Sequence, residues 1–171
     1  RQAGYEVREQ RSSKVVLDEK HFRRMDKFAG DESKWQEWIF NLLVTVGTVD
    51  QDIVVAMDKI LKATNLSMDQ QTLDVEVGQE VRTKFSSEFF SVLCSLTSGE
   101  ANVVTRSVLS KGVGYDGFAA LYALNTRYNP KTPARVLQYL GAVVSPPVVK
   151  DLRFLPKALE EWESKRTKLK H

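Results

Sequence analysis

Large apolar residues recur at helical spacings along most of the chain. Trp35, Trp38, Ile39, Leu42, Leu43 and Val46 follow one another at steps of three, one, three, one and three, which predicts a helix with one broad apolar face. Ahead of it, Phe28-Ala29-Gly30-Asp31 reads as an apolar anchor, a turn and a cap, because Asp31 can accept from the first free backbone amides. Gly47 weakens the helix end, and Asp50 or Asp52 caps a second helix carrying Ile53, Val54, Met57, Ile60 and Leu61. Residues 63–74 are polar (Asn65, Ser67, Asp69, Gln70, Gln71) and read as a loop. A long helix over 77–96 should follow, with Val77, Val81, Phe85, Phe89 and Leu93 at steps of four, broadened by Phe90 and Leu96. Several of these residues also favour strands, but length and spacing argue for a helix over 89–96.

The second half continues the pattern. Ser98 is positioned to cap a helix over 100–110 with Ala101, Val104 and Val108 inside, ending at Lys111-Gly112-Val113-Gly114. Asp116 starts the next, which carries Phe118, Leu121, Tyr122, Leu124 and Tyr128 and stops before Asn129-Pro130. Thr132-Pro133 restarts the chain with a cap and a proline at the first helical position. Val136, Leu137, Leu140 and Val143 form that helix's apolar face, and Ser145-Pro146-Pro147 breaks it. A last helix begins near Pro156, with Leu159, Trp162 and Leu169 on one side; its acidic residues lie early and its basic ones late, which suits the helix dipole. About seven helices and no convincing pair of strands place the chain in the all-α class. The expected organisation is a charged N-terminal arm over 1–27, with one apolar cluster at Val15-Val16-Leu17, then two small helical lobes over 28–97 and 98–171. No repeat of fixed period and no low-complexity stretch interrupts this reading.

Composition adds a charge asymmetry. The net charge is +3 over 171 residues. Residues 1–30 hold eight Lys/Arg and five Asp/Glu, residues 31–100 five and twelve, and residues 101–171 twelve and five. An acidic half joined to a basic half suggests complementary packing between lobes or between copies of the chain, or a nucleic-acid partner for the basic half. No apolar run reaches the roughly 18 residues needed to cross a bilayer, so no membrane span is expected. The start on Arg1, with no signal peptide after it, leads us to expect a segment of something longer.

Candidate chemistry is sparse. With one cysteine and two histidines, the chain cannot assemble a zinc site of the usual composition. Cys94 lies in an apolar run and reads as core. His21 and His171 sit in charged terminal segments outside any catalytic motif. Gly112, Gly114 and Gly117 lack the strand and the Lys-Ser/Thr that a phosphate loop needs, and read as a helix stop followed by a tight start. The carboxylate pairs Asp31-Glu32, Asp50 with Asp52, and Glu160-Glu161 lie at caps or first turns, where negative charge is stabilising without catalysis. No enzyme activity, metal or cofactor is expected. Lys165, Arg166, Lys168 and Lys170 are the candidate nucleic-acid contacts, although they lack the interleaved aromatics of a single-strand platform. Trp35, Trp38, Phe89, Phe90, Phe118 and Trp162 are the candidate core or interface aromatics.

The order of these signals resembles the Gag capsid region of LTR retrotransposons, most closely the copia-type group. Phe28-Ala29-Gly30 with Trp35 and Trp38 matches the family's "F-x-G…W…W" opening. Leu93-Cys94-Ser95-Leu96 leading to Gly99-Glu100-Ala101 is similar to its apolar segment before the central helix. The run from Gly117-Phe118-Ala119-Ala120-Leu121-Tyr122 to Arg127-Tyr128-Asn129-Pro130 resembles its "W-x-x-L…Y" helix, with Phe118 where Trp is usual. Leu159-Glu160-Glu161-Trp162-Glu163 falls at its closing helix. The resemblance spans residues 28–169. It implies two helical lobes, self-association into a shell around element RNA, and an intracellular particle, cytoplasmic or alternatively nuclear. The Cys-x-x-Cys…His…Cys knuckle of such polyproteins is absent from this sequence, so RNA would be held by basic residues or by a separate segment. Rival readings are a domesticated Gag-like module that binds peptides in a groove, a helical nucleic-acid-binding regulator, and an enzyme with an unrecognised site.

Overall fold

In the computed structural model of the chain, residues 17–63, 66–67, 69–129, 131 and 133–169 are described, with the side chains of residues 133–135 left aside. Among these, eight α-helices and four short 3₁₀ segments account for the regular structure, and no strand occurs beyond a single bridge between Phe28 and Thr97. Residues 89–96 are helical throughout.

The caps explain where most helices start. Asp31 accepts from the Ser33 amide at 3.0 Å and opens a 3₁₀ turn, Glu32–Lys34, that runs into α1, Trp35–Gly47. Asp50 accepts from the Asp52 amide at 2.8 Å and starts α2, Gln51–Lys62. Residues 70–74, expected in a loop, instead begin α3, Gln70–Val77, because Asp69 takes both the amide and the hydroxyl of Thr72, at 2.8 and 2.9 Å. Gly78, at φ +92°, then separates α3 from α4, Gln79–Leu96, which is the long helix expected over 77–96 with its start moved two residues on and Val77 left in α3. The apolar residues of 70–77 that reach the core are only Leu73 and Val77, too few to mark a helix by periodicity.

Helix α5 spans Gly99–Arg106 and tightens into 3₁₀ geometry over Ser107–Lys111, so the helix expected over 100–110 changes type partway; Ser98 precedes it without a side-chain capping bond. Helix α6, Gly117–Tyr128, is the most enclosed: Gly117, Phe118, Ala119, Ala120, Leu121, Leu124, Asn125 and Tyr128 are all buried. It crosses α4 and also touches α2 and α5. Helix α7, Pro133–Val144, and α8, Leu155–Lys168, pack mainly on each other as a hairpin, with the last 3₁₀ segment, Leu152–Phe154, leading into α8. The cap Thr132 lies outside the described residues.

The buried hydrophobic cluster runs from Leu17 to Tyr128. The expected division at 97/98 therefore falls inside one core: α6 packs on α4 and α2 across that line, and the Phe28 backbone bonds to Leu96 and Ser98, both at 2.9 Å. The packing changes after Tyr128, where the α7–α8 hairpin begins. The expected N-terminal arm over 1–27 is described from Leu17 onward. Its described part is docked, with Leu17 and Phe22 buried and the Leu17 amide donating to Glu88 at 3.2 Å; residues 1–16, including Val15 and Val16, lie outside the described residues.

Candidate interaction surface

Five of the six singled-out aromatics are core. Trp35, Trp38, Phe89, Phe90 and Phe118 are buried, and the Phe89 and Phe118 rings lie 5.3 Å apart. Phe28, Trp35, Trp38 and Tyr128 form one cluster with centroid separations of 5.0–6.2 Å. Gly30, at φ +110°, a conformation that favours glycine, lies against the hydroxyl end of Tyr128, where an added Cβ would come within 3.0 Å of the phenol oxygen. Phe28, Trp35 and Trp38, at and just before the start of α1, and Tyr128, at the end of α6, thus make a single packed unit. Trp38 donates its indole N–H to the Asp26 carbonyl at 3.2 Å, which fixes the descent into α1.

Trp162 is the exception. It is half-buried on α8 and donates its indole N–H to the Val143 carbonyl at 3.1 Å, closing the hairpin at the end of α7. Beside it, Ala142, Pro146, Pro147, Leu155, Leu159 and Trp162 line an apolar groove of about 320 Å³. The expected buried faces of these two helices are largely open to solvent. Of the residues expected there, Leu137 is 67% exposed and Val136, Leu140 and Leu159 are exposed too, while Val143, Trp162 and Leu169 are half-buried. Outside the expected faces, Val144 (72%), Leu152 (83%) and Phe154 (62%) are also exposed. Single exposed apolar residues are ordinary, but here several fall within one hairpin and the turn that joins it.

The basic residues of α8 do not form one free row. Lys165 lines the groove, half-buried. The Arg166 guanidinium lies 5.2 Å over the Trp162 ring. Lys168 turns toward the core, 3.9 Å from Glu32 Oε2 and 5.2 Å above the Tyr139 ring. Lys170 and His171 lie outside the described residues.

Other chemistry is structural in placement. Among the described residues, no three His, Cys, Asp or Glu side chains come together as a metal site. Cys94 is half-buried rather than fully enclosed, and burial pushes its thiol up, partly offset by Arg106, so little thiolate is present at neutral pH. A wider groove of about 790 Å³ separates residues 21–31 from α1, with Arg24, Lys27, Asp26 and Glu37 around Trp38 and Val44. Its charges are mixed in sign, and it contains no nucleophile paired with a base.

Sequence reasoning missed a buried ionic network. Arg82, 8% exposed, donates from Nε to Asp116 Oδ2 at 2.5 Å and from Nη1 to Asp74 Oδ1 at 2.6 Å and the Gln70 carbonyl at 2.9 Å. The other Asp116 oxygen caps α6 by accepting from the Phe118 and Ala119 amides, both at 2.9 Å. Burial works against the Arg82 charge, but the two carboxylates outweigh it and hold its pKa above the ordinary value. The signal was its spacing: Arg82 sits three residues before Phe85 on the inward face, while Val81, expected there, is only half-buried.

Comparison of the chain with models of known families finds no match, and comparisons with curated proteins and with solved structures find none either.

Proposed function

We propose that this chain is a non-enzymatic structural domain of the retroelement capsid type, which self-associates into an intracellular, cytoplasmic shell around RNA. The observation that carries the reading is the uncovered apolar face of the α7–α8 hairpin, presented by a firmly packed helical body. Apolar surface of this extent is stabilised by burial, at about 25 cal/mol per Å² removed from water. A second copy of the same chain offers the same face, which joins copies in two-fold pairs, and a shell links those pairs through a further contact. Weak, repeated contacts of this kind suit a shell better than one tight contact would. The acidic stretch 31–100 and the basic stretch 101–171 favour particular orientations between copies. The motifs that resemble the copia-type Gag region supply the capsid part of the reading, and RNA would be met by Arg166 and its neighbours or by a separate segment.

A second reading, a peptide-binding module that does not assemble, is favoured by the groove between residues 21–31 and α1. Electron microscopy of the purified chain with and without RNA, across salt and protein concentration, separates the two. Regular particles or sheets support the capsid reading; a dispersed monomer under every condition supports the module.

A further inference from the structure

The α7–α8 hairpin is cohesive within itself, and among the described residues its contact with the rest of the molecule centres on one side chain, Tyr139, with a buried ring and a bonded hydroxyl. Its two helices pack on one another and are pinned by the Trp162–Val143 hydrogen bond. Among the described residues, Tyr139 is the only buried apolar side chain of the hairpin, and it lies outside the hydrophobic cluster that ends at Tyr128. Its hydroxyl donates to Glu32 Oε2 at 2.5 Å, 107 residues away in the turn that opens α1. Lys168, at the far end of α8, approaches the same carboxylate oxygen at 3.9 Å and covers the Tyr139 ring. Both helices of the hairpin therefore converge on one side chain of the core. Nearby, Gln36 of α1 donates to the Asn129 side chain at 3.2 Å, just after α6 ends.

We propose that Glu32 is a latch that sets the angle of the α7–α8 hairpin on the core, and that releasing it lets the hairpin swing as one body while both parts stay folded. The physical ground is the difference between the two kinds of contact. Apolar packing resists displacement over a whole area, whereas a charge-assisted hydrogen bond is directional and is lost within a few tenths of an ångström. A joint built on such a bond has a held and a released position, as hinged bodies do. The consequence for assembly rests on the proposed self-association: the latch fixes the direction in which the apolar face of each copy points. A latched hairpin gives one angle between neighbouring copies, and a released one gives several.

The test uses the full chain, diluted until it is monomeric, with Cys94→Ala and spin labels at Lys59→Cys on α2 and Lys157→Cys on α8. Pulsed electron resonance then reads the core-to-hairpin distance distribution, and fluorine NMR of the 5-fluorotryptophan-labelled chain reads the Trp35 and Trp38 signal apart from that of Trp162 on the hairpin. A narrow distribution is expected for the parent. Glu32→Ala should at least about double its width, with Tyr139→Phe in between, while exchange of the α7 and α8 backbone amides stays as in the parent because the hairpin remains folded. The Trp35 and Trp38 signal should not change. An unaltered narrow distribution in both variants overturns the latch. Loss of the Trp signal along with broadening overturns it as well, since hairpin and core would then be one cooperative unit. If the parent fails to assemble at any concentration, the capsid reading falls and the distance result still decides the latch.

Discussion

Gly117 lies so close to the backbone of Phe90 that a Cβ at this position would sit 2.6 Å from the Phe90 nitrogen and 2.7 Å from the Phe89 carbonyl carbon. This approach lets α6 cross α4 with its first turn in direct backbone contact. Alanine is the better helix former by about 1 kcal/mol, so propensity alone predicts that Gly117→Ala stabilises the chain. The crossing reverses the sign. Backbone atoms cannot move aside as a flexible side chain can, and we expect Gly117→Ala to cost about 2–3 kcal/mol in urea unfolding. A neutral or stabilising result would mean the two helices are farther apart than described.

Arg82 and Asp116 supply a second expectation. Removing the cation leaves Asp116, 2% exposed, as a buried carboxylate facing only the amides it caps. Arg82→Met keeps much of the volume and should still cost about 3–5 kcal/mol in denaturant unfolding. Asp116→Asn should cost less, because asparagine still caps α6 and Arg82 retains Asp74. Equal losses for the two substitutions would contradict this ordering.

A pH dependence follows from Asp69. Hydrogen bonds from the Ser67 hydroxyl first, then from the Thr72 amide and hydroxyl, lower its pKa to about 2 from the ordinary 3.8. A carboxylate depressed in the folded state stabilises that state above its unfolded pKa and loses the contribution as pH falls through the folded one. Amide protection in α3 should thus be constant above about pH 4 and decline toward pH 2, and Asp69→Ala should abolish that decline. A Thr72 amide shift that titrates near 3.8 instead would show that the cap is not formed.

Much of the architecture was readable from spacing and caps. Asp50, Asp116 and the Pro133 start are where helices begin, and the steps among Trp35, Trp38, Ile39, Leu42 and Val46 give the face α1 buries. Helix α3 was not readable, because a capping Asp69 and two buried residues carry too weak a periodic signal. Arg82 escaped notice because an arginine among polar residues reads as solvated until the aspartates from α3 and the α6 cap are seen beside it. The candidate surface was half-legible. Leu137, Leu140 and Leu159 announce an apolar face, but periodicity does not say whether the same chain covers it, and none of the described residues does. Tyr139, the one residue of that helix seen to turn inward, sits among them without any mark of its role.

The measurement closest to the central claim is sedimentation of the parent chain against Leu152→Asp/Phe154→Asp over a wide range of concentration. Both positions are exposed and outside the core, so far-ultraviolet circular dichroism and the melting temperature should not change. We expect the parent's mass to rise steeply with concentration and the double variant to remain monomeric about tenfold further up the range. A parent that stays monomeric throughout, or a double variant that associates just as readily, would contradict the account.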